Sequence, residues 1–329
     1  MESEPDGNHS AQPDCGVSEG PESSCRGIRE NGVLQDRAAA AIERLSACDL
    51  CPRQCGVNRV KGETGFCRTG RHAWVSDADA HFGEEDPLIG TGGSGTIFFT
   101  HCNLGCNFCQ NYDISHLGAG REVGPEELAH IMLALQEKGC HNINFVTPSH
   151  VVAQILEALI PAVENGLRIP LIYNTSAYDR TDTLALLDGI IDIYMPDFKF
   201  WDPEVARLTC NAPDYPLVAA DAIREMHRQV GDLVLDRNGL AIKGLLVRHL
   251  VLPENLAGTD RIMDFLAKEI SAETYTNVMN QYRPCGTASK IPALSRKITS
   301  SEYEAALDMA RKAGIHRLDR RRRKFALWI

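Results

Sequence analysis

From Gly95 onward, short apolar runs alternate with amphipathic helical stretches, and this alternation limits the fold more than any other feature. The runs 96–100 (TIFFT), 144–147 (NFVT), 170–173 (PLIY), 190–195 (IIDIYM), 243–252 (KGLLVRHLVL) and 275–279 (YTNVM) predict six strands. Between them, 125–138 predicts a helix with Pro125 in its first turn and Leu128, Ile131, Met132 and Leu135 on one face. Further helices are predicted over 151–163, with Ile155, Leu156 and Leu159 inward, and over 183–187, 203–230, 260–270 and 301–313. Apolar strands separated by helices build βαβ units, because a helix-length crossover is what returns the chain to run parallel with its neighbour. The expected fold class is therefore α/β, a partial (β/α)6 TIM-like barrel, with an open doubly wound sheet as the other arrangement of the same repeats. In either, chemistry gathers at the carboxyl ends of the strands.

That rule directs attention to the loop leaving the first strand. It reads Thr100-His101-Cys102-Asn103-Leu104-Gly105-Cys106-Asn107-Phe108-Cys109, three thiols at the spacing C-x3-C-x2-C. A structural zinc site takes four ligands, and no fourth cysteine is close in the sequence. A [4Fe–4S] cluster bound by three thiolates instead leaves one iron open to an exogenous ligand. Gly105 permits the tight turn that brings three sulfurs toward one centre. The bland reading is a structural metal knot or unrelated thiols; position and spacing together argue against it.

These residues resemble the signature of the radical S-adenosylmethionine (radical SAM) superfamily. The stretch 83–115, GEEDPLIGTGGSGTIFFTHCNLGCNFCQNYDIS, is similar to the PflX-like branch, relatives of the pyruvate formate-lyase activating enzymes. The similarity continues through 142–150 (NINFVTPSH), 171–179 (LIYNTSAYD), 192–200 (DIYMPDFKF) and 246–255 (LVRHLVLPEN), and so covers most of 48–319. It implies that Cys102, Cys106 and Cys109 ligate a [4Fe–4S] cluster and that S-adenosylmethionine chelates the remaining iron. One-electron reduction then splits the sulfonium C–S bond, and the 5′-deoxyadenosyl radical abstracts hydrogen from a substrate. The resemblance places Phe108 near the adenine. Related activating enzymes carry Gly-Gly-Glu after the second strand; here Thr147-Pro148-Ser149 stands in its place, so the Thr147 hydroxyl or backbone carbonyls are expected to meet the methionine amino group. Asn174 is expected at the ribose or carboxylate, and Asp197 and Lys199 of PDFK at the cofactor, with Arg248 and His249 as further candidates. The implied electron donor is a flavodoxin or ferredoxin. The implied hydrogen source is a glycine Cα in a partner such as pyruvate formate-lyase. Modification of a peptide or small molecule is the alternative, and outside enzymes, an iron–sulfur electron-transfer or redox-sensing protein.

A second thiol group lies ahead of the barrel. Cys48-Asp-Leu-Cys51-Pro-Arg-Gln-Cys55 is followed by Cys67, with Gly56, Gly62 and Gly65 between. Four such thiols close a site that suits structural zinc or a second [4Fe–4S] cluster, and spacing does not separate the two. The chain thus divides into an acidic tail 1–32 read as disordered, a helix plus cysteine-rich module over 33–93, the barrel over 94–319 and a basic tail 320–329. The first helix is expected to present Leu34, Ala38, Ile42 and Leu45. Gly90-Thr-Gly92-Gly93-Ser-Gly95 precedes a strand rather than following one, so it reads as a turn or lid and not a phosphate loop. Glu84, Glu85 and Asp86 beside it read as an exposed acidic loop. Cys15 and Cys25 read as bystanders and Cys140, Cys210 and Cys285 as small hydrophobes, Cys285 being the one placed to face the cavity.

Composition excludes other classes. A net charge of −10 argues against a general nucleic-acid binder, which needs surplus Lys and Arg for phosphates. No apolar run approaches the roughly 18 residues of a membrane helix. The opening MESEPDGNHSAQPDCG is acidic and reads as no secretory signal, so the 12 cysteines are expected in a reducing, cytoplasmic setting where clustered thiols hold metal.

Overall fold

Along the barrel strands the side chains alternate between an outer and an inner environment, and the outer one builds the main core. Ile97, Phe99, Ile143, Phe145, Leu171, Tyr173, Tyr194, Leu245 and Val247 face outward into one large cluster shared with the helices. Their neighbours Ile172, Ile193, Met195 and Leu246 face inward into a second, smaller cluster. The computed structural model describes residues 32–319, so all of the acidic tail except Gly32, and the whole of 320–329, lie outside the described residues.

The strands are β1 (Ala73–His81), β2 (Ser94–Phe99), β3 (Arg121–Val123), β4 (Ile143–Val146), β5 (Leu171–Thr175), β6 (Ile193–Pro196), β7 (Val234–Leu235), β8 (Ala241–Leu250) and β9 (Tyr275–Met279). They form one nine-stranded sheet in the order β3-β1-β2-β4-β5-β6-β8, with β7 and β9 both pairing β8. The six predicted strands are β2, β4, β5, β6, β8 and β9, and each neighbouring pair among them is parallel. The sheet does not close, because β9 pairs only β8 while the far side of β2 is taken by β1. The fold is a mixed α/β partial barrel, as expected. Helices Pro125–Glu137 and Val152–Glu164 make the first crossovers, and 203–230 divides into Pro203–Cys210 and Tyr215–Val230 at the left-handed Asn211. The final helix runs Ser300–Ala313. No helix among the described residues is long and apolar enough to cross a membrane.

Two features depart from the sequence reading. The stretch 33–93, expected as a helix plus cysteine-rich module, also contains β1, which runs antiparallel to β2 from Val75↔Phe99 to His81↔Ser94, so the sheet begins at Ala73 rather than at 94. Its sequence, AWVSDADAH, has buried residues only at its start, Ala73 and Val75, and its polar second half hid the strand. The acidic loop is also not exposed. Glu84 and Glu85 are buried, and Leu88 packs into the inner cluster against Ile172, Ile193, Met195 and Leu246. Asn142 Nδ2 donates to the Leu88 carbonyl at 2.8 Å and Asn277 Nδ2 to Glu85 at 2.6 Å, so this segment plugs the barrel floor from its open side.

The glycine-rich loop sits at the amino end of β2, opposite the cysteines, and is a turn rather than a lid. His141 Nε2 accepts from the N–H groups of Thr91 and Gly92 at 3.1 and 3.0 Å. A Cβ at Gly92 would stand 2.0 Å from the Gly139 carbonyl oxygen, which is why only glycine fits there.

Candidate active site

Beyond Phe99 the chain turns at His101, whose φ is 69°, and enters the cysteine loop. Cys102, Cys106 and Cys109 line one cavity of about 260 Å³ at the carboxyl ends of the parallel strands. Phe108 holds the loop down, with edge-on contacts to Phe200 and Tyr282 at 5.8 and 6.0 Å between ring centres. Leu104 N–H donates to Cys102 Sγ at 3.3 Å, and Asn111 N–H and the Ser115 side chain donate to Cys109. Such donors favour the charged thiolate. Burial and the neighbouring thiols oppose it, pushing Cys102 up to about 12 and Cys109 upward. Lys199 pulls Cys106 and Cys109 the other way. Three converging sulfurs with N–H donors and a cation beside them form a donor set suited to an anionic iron–sulfur cluster.

The opposite wall is a charged network built on adjacent strand ends. Arg248 on β8 donates from Nε to Asp197 at 2.8 Å and from Nη2 to Asn174 at 2.7 Å, and Glu84 lies 3.4 Å from Nη1. Lys199 Nζ donates to the other Asp197 oxygen at 2.6 Å. Burial disfavours the Asp197 carboxylate, but Arg248 and Lys199 together outweigh it and hold its pKa at about 2. Tyr215 fixes this turn from behind. Its hydroxyl accepts from Lys199 N–H at 2.9 Å and directs its proton toward the carbonyls of Asp197 and Ser176. Thr147 also lines the cavity, at a φ of 62° that a β-branched side chain rarely adopts.

Other expected residues are elsewhere. His249 follows Arg248 and so points to the opposite face of β8. There Nδ1 meets the Phe198 carbonyl at 2.8 Å and Nε2 the Thr259 hydroxyl at 2.9 Å, and burial drives its pKa down to about 4. Pro148 and Ser149 are also outside the cavity lining. Pro148 is buried in a turn, its carbonyl accepting from Val151 N–H, and Ser149 Oγ pairs with Thr175 Oγ1 at 2.9 Å beside Asp179. Cys285 does not line the cavity, whereas Cys210, read as an isolated hydrophobe, places its sulfur 3.4 Å from Cys106 Sγ. Only spatial proximity reveals that pair, since the two residues are 104 positions apart.

The second group, Cys48, Cys51, Cys55 and Cys67, lines its own small pocket together with Arg59 and His150. Cys55 is exposed and the other three are buried. Among the described residues, no three Cys, His, Asp or Glu side chains are drawn together tightly enough to grip one bare ion. A four-iron cluster places less demand on convergence, because each thiolate binds a different iron.

Comparison with known proteins gives the family of the chain. An uncharacterized protein of Methanocaldococcus jannaschii, MJ0674, is 34% identical over 290 residues, covering 85% of this chain and 79% of that one. A solved structure described as TYW1 with a lysine-pyruvate adduct bound is similar at a TM-score of 0.42 and 11% identity, over 66% of this chain and 73% of that one. Residues 96–266 match the Radical SAM superfamily, a span running from β2 through β8, and the chain belongs to that superfamily.

Proposed function

We propose that Cys102, Cys106 and Cys109 hold a [4Fe–4S] cluster and that S-adenosylmethionine binds against the Asp197–Lys199–Arg248 wall. Membership of the superfamily implies an enzyme that uses both groups. The observation that carries the residue assignment is the meeting of three thiols and a buried charged network in one cavity. When bound, the cluster supplies the electron that cleaves the sulfonium C–S bond and releases a 5′-deoxyadenosyl radical for hydrogen abstraction. The chain's own residues orient and insulate. Asn174 and Arg248 present an amide and a guanidinium to the cofactor's ribose or carboxylate, Phe108 offers a ring to the adenine, and Thr147 with its neighbouring carbonyls receives the amino group. The carboxylate of Asp197 keeps Lys199 and Arg248 charged and in register, and the plug carrying Glu84 and Leu88 shuts water out from below.

For the hydrogen source we propose the Cα of a glycine in a partner protein, on the PflX-like resemblance of 83–115. A flavodoxin or ferredoxin serves as electron donor. Ten free thiols among the described residues suit a reducing, cytoplasmic setting. The test is anaerobic reconstitution with iron and sulfide, dithionite reduction and chromatography for 5′-deoxyadenosine after adding S-adenosylmethionine. The wild type is expected to form it, and the Cys102→Ala/Cys106→Ala/Cys109→Ala variant to form none. A wild-type protein that carries four irons on the loop and yields no 5′-deoxyadenosine refutes the assignment.

A further inference from the structure

Arg59 is a fully buried guanidinium, 1% exposed, with no carboxylate beside it among its described contacts. Its Nε donates to the Gly70 carbonyl at 3.0 Å and its Nη1 to the His150 carbonyl at 2.8 Å, with Cys48 Sγ 3.6 Å away, and Nη2 has no partner. A buried cation without a counter-charge is strongly destabilising, because burial strips its hydration and nothing of opposite charge replaces it. The groups placed to supply negative charge are the module's own sulfurs. A protonated thiol carries no charge, so the free cysteines, Cys48 Sγ the nearest of them, leave Arg59 uncompensated. Metal binding reverses this, each thiol giving up its proton to solvent as a sulfur–metal bond forms. The backbone is arranged for that state. Arg53 N–H donates to Cys51, Thr69 N–H to Cys67, and Phe66 N–H to Cys55 Sγ at 3.4 Å. Gly65 lets the loop before Cys67 approach Cys55, since a Cβ there would lie 2.6 Å from the Cys55 sulfur.

Arg53 ties this module to the barrel. Its guanidinium donates to four carbonyl oxygens in two distant segments: Asn103 at 2.9 Å and Leu104 at 3.1 Å in the cysteine loop, and Cys210 at 2.9 Å and Asn211 at 2.7 Å at the end of the helix Pro203–Cys210. Phe66 of the module lies under the same guanidinium, 3.9 Å from ring centre to Cζ. Asn103 and Leu104 lie between Cys102 and Cys106, and the other two acceptors hold the helix end that places Cys210 Sγ 3.4 Å from Cys106 Sγ.

We propose that Cys48, Cys51, Cys55 and Cys67 form an anionic metal–thiolate centre balanced by Arg59, and that Arg53 transmits its loading to the geometry of the Cys102–Cys109 loop. The coupling half rests on the loop's holding a cluster; the metal half does not. Arg53 acts as a positioning residue, through carbonyls and not on any reacting atom.

The full chain is isolated anaerobically in three forms. In the Cys102→Ala/Cys106→Ala/Cys109→Ala variant only the module can hold metal, and about one zinc or about four irons with sulfide per chain is expected. Less than about 0.1 equivalent of either metal overturns the centre. Arg53→Lys keeps the charge but cannot span four carbonyls; it is expected to retain the module metal while losing at least about half of the loop iron and changing the electron paramagnetic resonance signal of the reduced protein. Cys51→Ala/Cys67→Ala, which empties the module, is expected to give the same loss at the loop. Wild-type loop iron and an unchanged signal in either variant overturn the coupling. Should wild-type protein carry module metal and none on the loop, the proposed function fails while the centre stands.

Discussion

Replacing Leu88 by alanine tests whether the acidic plug is structural. Leu88 is fully buried among Ile172, Ile193, Met195 and Leu246, inside the barrel and one layer below the Arg248 network. The change removes three carbons, about 2.4 kcal/mol at roughly 0.8 per buried methylene. The surroundings are strands whose positions are fixed by parallel ladders, so they cannot collapse into the hole, and the cavity raises the cost to about 3–4 kcal/mol. For a domain of this size, each kcal/mol lowers the unfolding midpoint by about 2–4 °C, giving a fall of roughly 6–16 °C. Circular dichroism melting of anaerobic protein reads this directly, with Leu217→Ala as the control. Leu217 is 75% exposed on the helix Tyr215–Val230, so its truncation should move the midpoint by less than about 2 °C. If Leu88→Ala also shifts it by less than about 2 °C, the segment does not fill the floor and the reasoning fails.

Three further outcomes follow from the same geometry. Asp197→Asn leaves Arg248 and Lys199 facing each other without their shared carboxylate, so stability should fall by about 3–5 kcal/mol and S-adenosylmethionine affinity at least about tenfold by calorimetry; unchanged affinity would remove this wall from the binding site. Gly92→Ala drives a Cβ into the Gly139 carbonyl, a rigid neighbour, and should cost about 1–3 kcal/mol in denaturant unfolding with no change in cofactor binding, because the turn is at the opposite end of β2. Thr147→Gly relieves a left-handed β-branched residue and should raise stability by roughly 0.5–1 kcal/mol while weakening cofactor binding; a loss of stability would show that the conformation is unstrained.

Much of the site was legible because local spacing carried it. Cys102, Cys106 and Cys109 fall within eight residues at a strand's end, and Asp197 and Lys199 within three, so fold position and spacing were enough to bring them to one cavity. The period of two along β8 separates Arg248 from His249, but the sequence does not say which of the two faces inward. The ladder decides: Leu246 pairs with Tyr275 and packs the inner cluster, and Arg248, two residues on, shares its face. Ser149 and Pro148 failed as cavity residues for a related reason. The chain turns away after Thr147 to start the next helix, and a strand pattern does not predict where such a turn falls.

The sequence by itself determined the α/β class, the six strands of the parallel sheet and the strand ends that carry the thiols, because periodicity and cysteine spacing are local properties; the order of the strands in the sheet was left to the structure. Only the tertiary structure decided what stands beside those thiols. Cys210 against Cys106, Arg53 across four carbonyls, Arg59 buried next to Cys48 and the Glu84–Leu88 segment within the barrel all join residues separated by long stretches of chain. A buried charge or an unpaired polar group is costly only where the fold excludes water, and that exclusion is a property of the packed molecule that no window of sequence contains.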